Sequence, residues 1–230
     1  MHGILEIASY FPSTVESNLD LKDQFGLDPE FLEKKVGVLH RRRKAADEET
    51  SDLCVRAYEA LCRKKEIDPA EIDFLMVCTQ NPDGRGLPHT SAIVHRKLEL
   101  ADSVAAFDIS LGCSGYVYGL SVALSFMKAN QMGKGLFFTA DPYSKIVRPE
   151  DKNTVLLFGD AATITLLGPS APWIFGDALY YTRGSGAEAL CCYDEGLSMN
   201  GRAIFNFALL SVPEQVRRLV AKAGIELDDI

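Results

Sequence analysis

Phe107-Asp108-Ile109-Ser110-Leu111-Gly112-Cys113-Ser114-Gly115-Tyr116 decides how the chain is read. An apolar stretch with strand character, Val104 to Ile109, leads into it, and a long apolar helix follows. The small residues between them mark a tight turn. Cys113 is therefore expected at a strand-to-helix corner, close to a helix N-terminus. There, unpaired backbone N–H groups and the helix dipole favour thiolate over thiol. The thiolate is the form that attacks carbon. The corner is the cysteine counterpart of the Gly-x-Ser-x-Gly elbow.

Working outward, Gly3 to Ser9 reads as a first strand, and Asn18 to Phe25 and Pro29 to Val36 as short helices. Thr50 or Ser51 caps an amphipathic helix running to Lys65, with Leu53, Cys54, Ala57, Leu61 and Cys62 on one face. Ile72 to Thr79 is almost continuously apolar, as a strand buried on both faces should be. Gln80 to Pro88 is a loop, Thr90 to Leu98 a helix, and Gly135 to Ala140 another buried strand. Strands alternating with helices predict an α/β fold with a parallel or mixed sheet. Val155 to Phe158 and Ala162 to Leu167 read as two strands around a tight turn. Trp173 to Tyr181 reads as strand-like, Thr182 to Asn200 as loop, and Pro213 to Ala223 as helix.

With 230 residues the chain has room for one large domain or two modest ones. A net charge of −8 leaves no basic stripe to collect phosphates, so no nucleic-acid partner is expected. Met1 begins no basic, apolar and cleavage-site sequence, so no signal peptide is read. The apolar run Tyr116 to Met127 is too short to span a bilayer and reads as a buried core helix, so no membrane insertion is expected. The six cysteines show no Cys-x-x-Cys pair and no zinc spacing, so no metal or other cofactor is called for. Cys54, Cys62 and Cys78 read as inert, buried and reduced, which fits a cytoplasmic setting.

Leu61-Cys-Arg-Lys-Lys-Glu-Ile67-Asp-Pro-Ala-Glu-Ile72 echoes Leu219-Val-Ala-Lys-Ala-Gly-Ile225-Glu-Leu-Asp-Asp-Ile230 at an offset of 158 (225 − 67). Each segment reads as the end of a helix followed by an acidic turn. With a boundary at Ala171-Pro172, the echo suggests two homologous halves, 1–170 and 171–230.

The Cys113 corner, the Phe158-Gly-Asp-Ala161 turn, Tyr10-Phe11-Pro12 and the Phe31 to Gly37 helix-turn together resemble the thiolase superfamily, and within it the β-ketoacyl-acyl-carrier-protein synthase III family. The resemblance runs over essentially the whole chain. It implies a layered αβαβα sandwich of two duplicated halves, the second incomplete here, and a homodimer formed through the first half. It also implies an acyltransferase of fatty acid and lipid metabolism. Its cysteine takes an acyl group from acyl-CoA, and the acyl group is then condensed with malonyl-acyl carrier protein with loss of CO2.

On this resemblance Cys113 is the nucleophile, and its own backbone N–H contributes to the oxyanion hole. Leu87 matches a residue that reaches across the dimer into the partner's acyl tunnel, or is an ordinary hydrophobic anchor. Phe31 matches an aromatic that stacks on the CoA adenine, or packs in the core. Lys152 stands where the family has an arginine on the other face of that base, although lysine cannot stack as guanidinium does. Phe205 matches a tunnel-lining residue. Arg41-Arg42-Arg43-Lys44 reads as a solvated face, or as help for a phosphate of CoA. Asp160 matches a structural acid. Cys191-Cys192 matches nothing in the family and reads as a surface or packing feature.

The family's decarboxylating histidine and asparagine match no residue, since His2, His40, His89 and His95 all lie in the first half. The resemblance places both beyond Ile230. The expectation is a fragment ending just before a core strand, because proteins rarely leave a sheet edge uncovered. Half of a split enzyme and a non-catalytic partner subunit are the alternatives.

Overall fold

The computed structural model describes residues 2–230. In chain order it contains β1 (His2–Tyr10), β2 (Thr14–Ser17), α1 (Lys22–Phe25), α2 (Pro29–Phe31), β3 (His40–Arg43), α3 (Thr50–Lys64), β4 (Ile72–Cys78) and α4 (Thr90–Lys97). Then come β5 (Ala105–Ile109), α5 (Gly115–Ala129), β6 (Lys134–Ala140), α6 (Lys152–Val155) and β7 (Ala162–Pro169). Last are β8 (Leu190–Tyr193), β9 (Gly196–Met199) and α7 (Gly201–Ala223). The chain divides into two compact units. One runs through Lys145 and resumes at Gly159–Phe175; the other comprises Ile146–Phe158 and Gly176–Ile230.

The first unit is built on a five-stranded sheet ordered β1-β7-β6-β4-β5. β4 runs parallel to both β5 and β6, whereas β7 is antiparallel to β6 and β1. Alternation along β4 explains its continuous apolar sequence. Leu75 and Val77 pack with Leu53, Cys54, Ala57 and Leu61 of α3, while Phe74, Met76 and Cys78 pack with Leu120, Ala123 and Met127 of α5. Helices thus cover both faces, as a parallel sheet requires. α5 lies close because Gly119 has no side chain: a Cβ there would overlap the ring of Phe137 on β6, which is fully buried.

Several expectations need correction. Neither Thr50 nor Ser51 caps α3; Glu49 does, its N–H donating to Asp52 Oδ2 at 2.9 Å in a capping box. Thr50 and Ser51 are buried in the first turn, their hydroxyls donating to the Asn81 carbonyl and to Asp83. Cys62 is exposed, unlike Cys54, because it falls at the rim of the apolar stripe. α5 buries Gly115, Gly119, Leu120, Ala123 and Met127, but Val117 and Val122 on its other face are exposed.

The expected hairpin at 155–167 is absent. Val155 ends α6, whose first turn Asp151 caps through Asn153 N–H at 3.0 Å, and only Ala162–Pro169 is a strand. It pairs with β1 and β6 across the sheet rather than with its own neighbour. In Trp173 to Tyr181 the only strand contact among the described residues is the Ile4–Trp173 bridge.

In the second unit α6 and the β8–β9 hairpin accompany α7. α7 starts at Gly201 and carries Pro213 in its interior, where the sequence reading had placed its start. It ends at Gly224, whose φ of 70° is the left-handed cap that glycine tolerates. The repeated segment keeps its shape: α3 is followed by a 3-10 turn at Pro69–Glu71, and α7 by one at Leu227–Asp229, again 158 residues on (227 − 69). No helix among the described residues is long and apolar enough to cross a membrane.

Candidate active site

β4, β5 and β6 all point their carboxyl ends to the same edge of the sheet, the edge where parallel α/β sheets place their ligands. Cys113 stands there, in the five-residue turn between Ile109 and Gly115, and is exposed. The turn closes with Gly115 N–H donating to the Gly112 carbonyl at 2.8 Å. Neither the Cys113 thiol nor its backbone N–H has a hydrogen-bond partner among the described residues. A free thiol beside a free N–H donor can attack a carbonyl carbon and receive the oxyanion that results.

The end of β4 shapes this turn from one side. Thr79 N–H donates to the Ile109 carbonyl at 3.0 Å, and the Cys78 thiol donates to the Leu111 carbonyl at 3.3 Å. Gly115 must be glycine because a Cβ would overlap Cys78 Sγ; a Cβ on Gly112 would meet Gln80 Oε1 at 2.7 Å. Burial, with Asp141 adding to it, pushes the Cys78 thiol up to about 11.

Asp141 follows β6 and anchors the next three residues. Its Oδ1 accepts from Thr79 Oγ1 (3.2 Å), Gln80 N–H (2.8 Å) and Asn81 Nδ2 (2.9 Å). Burial raises its pKa above the ordinary carboxylate value, and these hydrogen bonds oppose the shift only in part. On the edge strand, Asp108 accepts from the first two N–H groups of α4. Sequence reading missed the supporting roles of Cys78, Gln80 and Asp141. The one available signal was that all three lie just at or beyond the ends of buried strands.

A family model described as 3-Oxoacyl-[acyl-carrier-protein (ACP)] synthase III matches residues 107–184, which include the turn. A β-ketoacyl-[acyl-carrier-protein] synthase III of Geobacillus kaustophilus is 33% identical over 229 residues, covering 99% of this chain and 73% of that protein. This chain belongs to the β-ketoacyl-acyl-carrier-protein synthase III family. A crystal structure of a 3-oxoacyl-(acyl-carrier-protein) synthase III superposes with a TM-score of 0.92 at 31% identity, over 100% of this chain and 76% of that one. The Thermus thermophilus synthase III gives 0.91 at 30% identity, over 99% and 74%. The fold is thus the thiolase-like α/β fold of an acyltransferase family, and the chain spans about three quarters of the length of these synthases.

The remaining residues singled out by the synthase III resemblance are placed as follows. Phe31, on α2, is 43% exposed, so the core-packing reading of it is wrong. Leu87 is 93% exposed in the loop between β4 and α4 and anchors nothing within the chain. No hydrogen bond or ring contact joins Cys113, Phe31 and Leu87 to one another among the described residues. Lys152, on α6, and Phe205, on α7, belong to the second unit and are both exposed.

The basic run is not simply a solvated face, since its side chains are engaged within the chain even though Arg42 is exposed. Arg41 is buried, donating to Asn18 Oδ1 at 2.8 Å and pairing with Glu16 at 3.2 Å. Arg43 reaches the same Glu16 oxygen at 2.7 Å, Arg42 donates to the carbonyls of Pro12 and Ser13, and Lys44 Nζ to those of Ala45 and Glu48. Burial, then the neighbouring Arg43, pulls the Arg41 guanidinium below its usual value. Asp160 is buried and accepts from the N–H groups of Ser144 and Lys44, both at 2.9 Å. Cys191 and Cys192 lie on β8 of the hairpin.

Proposed function

We propose that Cys113 accepts the acyl group of an acyl-CoA. The thiolate attacks the thioester carbonyl carbon; a C–S bond to Cys113 forms, the C–S bond to CoA breaks, and the CoA thiolate leaves and takes up a proton. The Cys113 N–H holds the oxyanion of the tetrahedral intermediate. The observation that carries this reading is the exposed thiol with its own unpaired N–H on the β5–α5 turn.

In the complete reaction, malonyl-acyl carrier protein loses CO2 and its carbanion attacks the acyl-Cys113 carbonyl carbon; a C–C bond forms, the C–S bond to Cys113 breaks, and the Cys113 thiolate is released, as in a 3-oxoacyl-acyl-carrier-protein synthase of fatty acid biosynthesis. The family's histidine and asparagine are the groups that would promote this step. Acyl-CoA and acyl carrier protein are the proposed partners, with Phe31 and Lys152 assigned to CoA and Phe205 to the acyl tunnel. A homodimer through the half at 1–170 is supported by two features: β5 is an edge strand, and Leu87 stands out from the surface. A cytoplasmic location accords with the free thiols.

Incubation with acyl-CoAs of several chain lengths followed by intact-protein mass spectrometry tests the proposal. One acyl group is expected on the unsubstituted protein and none on Cys113→Ala. No adduct with any donor would overturn the enzyme reading and leave a non-catalytic partner subunit.

A further inference from the structure

Cys78 is a second thiol at the same edge of the sheet, and it forms and breaks no bond in acyl transfer to Cys113. It is 2% exposed, its Sγ donates to the Leu111 carbonyl at 3.3 Å, and it fills the space that a side chain at Gly115 would need. Leu111 and Gly115 flank Cys113 by two residues on either side. The same strand end also meets the turn through Thr79 N–H at the Ile109 carbonyl and through Gln80 beside Gly112. Asp141 fixes that strand end through three hydrogen bonds.

We propose that Cys78 is a positioning residue for Cys113: its thiol, wedged between the Leu111 carbonyl and Gly115, sets where the Gly112–Cys113 peptide stands. The inference rests on Cys113 being the acyl acceptor. It assigns to a buried thiol the work of a hydrogen-bond donor and spacer. Removing it loosens the two residues bracketing the nucleophile without touching the acyl donor. The effect should therefore fall on the rate at saturating donor and spare half-saturation, because a misplacement of ångström scale costs rate rather than binding.

Cys78→Ala removes both donor and spacer, whereas Cys78→Ser keeps a donor of smaller size. With acyl-CoA, Cys78→Ala is expected to lower the saturating rate of Cys113 acylation by about tenfold, with half-saturation within about twofold. Cys78→Ser is expected to regain most of that loss, and thermal melting separates misfolding from misplacement. Alkylation of Cys113 by iodoacetamide, followed by peptide mass, is a readout that needs no acyl donor; it should change by about threefold or more in Cys78→Ala and return in Cys78→Ser. Equal acylation and alkylation in the unsubstituted protein and Cys78→Ala would overturn the proposal. So would equal losses in the two variants. An unsubstituted protein that takes no acyl group would instead refute the acyl-acceptor reading, and the alkylation arm would still decide for or against Cys78.

Discussion

The Asp108 carboxylate accepts the Thr90 N–H at 2.7 Å, so the strand that leads to Cys113 also caps the helix before it. Its other oxygen takes the Ser91 N–H at 2.8 Å, satisfying two of the donors that a helix start leaves open. Asp108→Ala removes both acceptors at once and should cost about 1–3 kcal/mol of stability. Urea denaturation measures this, and a loss within error of zero would show that water replaces the carboxylate without penalty.

Gly119→Ala places a methyl group where the Phe137 ring lies. Neither the ring, fully buried, nor the helix backbone can retreat without disturbing the core, so overpacking of about 1–3 kcal/mol is expected. Val122→Ala, on the exposed side of α5, should change stability by less than about 0.5 kcal/mol in the same measurement.

Glu16 serves two guanidinium groups, and Arg41 Nη1 and Arg43 Nη1 already lack partners. Glu16→Gln removes the ion-pair partner of the buried Arg41 and should destabilise by about 1–3 kcal/mol. The exposed pair Glu30–Lys34 on the same unit is the control: Glu30→Gln should shift stability by no more than about 0.5 kcal/mol. Equal effects for the two would refute the burial argument.

Asp141 yields a pH dependence of definite sign. Its folded-state pKa lies above the unfolded value, so below the unfolded value both states hold the proton and its contribution is fully present. As pH rises through the folded value, the unfolded chain has already ionised and that contribution is lost. Relative to Asp141→Asn, the unsubstituted protein should therefore lose stability as pH climbs above about 4 toward neutrality. Unfolding both proteins in urea across that range tests it, and a difference that stays flat or moves the other way would contradict the assignment.

What the sequence disclosed depended on whether a residue's surroundings were local. The β4 and β6 strands and the Cys113 turn were legible because each carries its own pattern: continuous apolar runs, then small residues. α6 was misread as strand because Val155, Leu156, Leu157 and Phe158 satisfy either reading, and a four-residue helix depends on a single Asp151 cap. Trp173 to Tyr181 has strand-like composition but finds one bridging partner, and pairing is not written in composition. The basic run was opaque for a similar reason: Glu16 and Asn18, which neutralise it, lie over 20 residues away in the chain. At the candidate site the placement of the Cys113 thiol in the turn after β5 could be read directly. Its support from Cys78, Gln80 and Asp141 could not, since it exists only once three strand ends are side by side.

Cys78 and Cys113, one buried and the other open to solvent, face oxidants on unequal terms. Peroxide reaches the exposed thiol first, and past the sulfenic stage that change is not undone by thiols. A stored preparation can therefore keep its helices, its sheet and its melting temperature while Cys113, like the exposed Cys62 and Cys192, is oxidised. Its age is then told by the mass of the peptide that carries Cys113, and folding measurements would not register it.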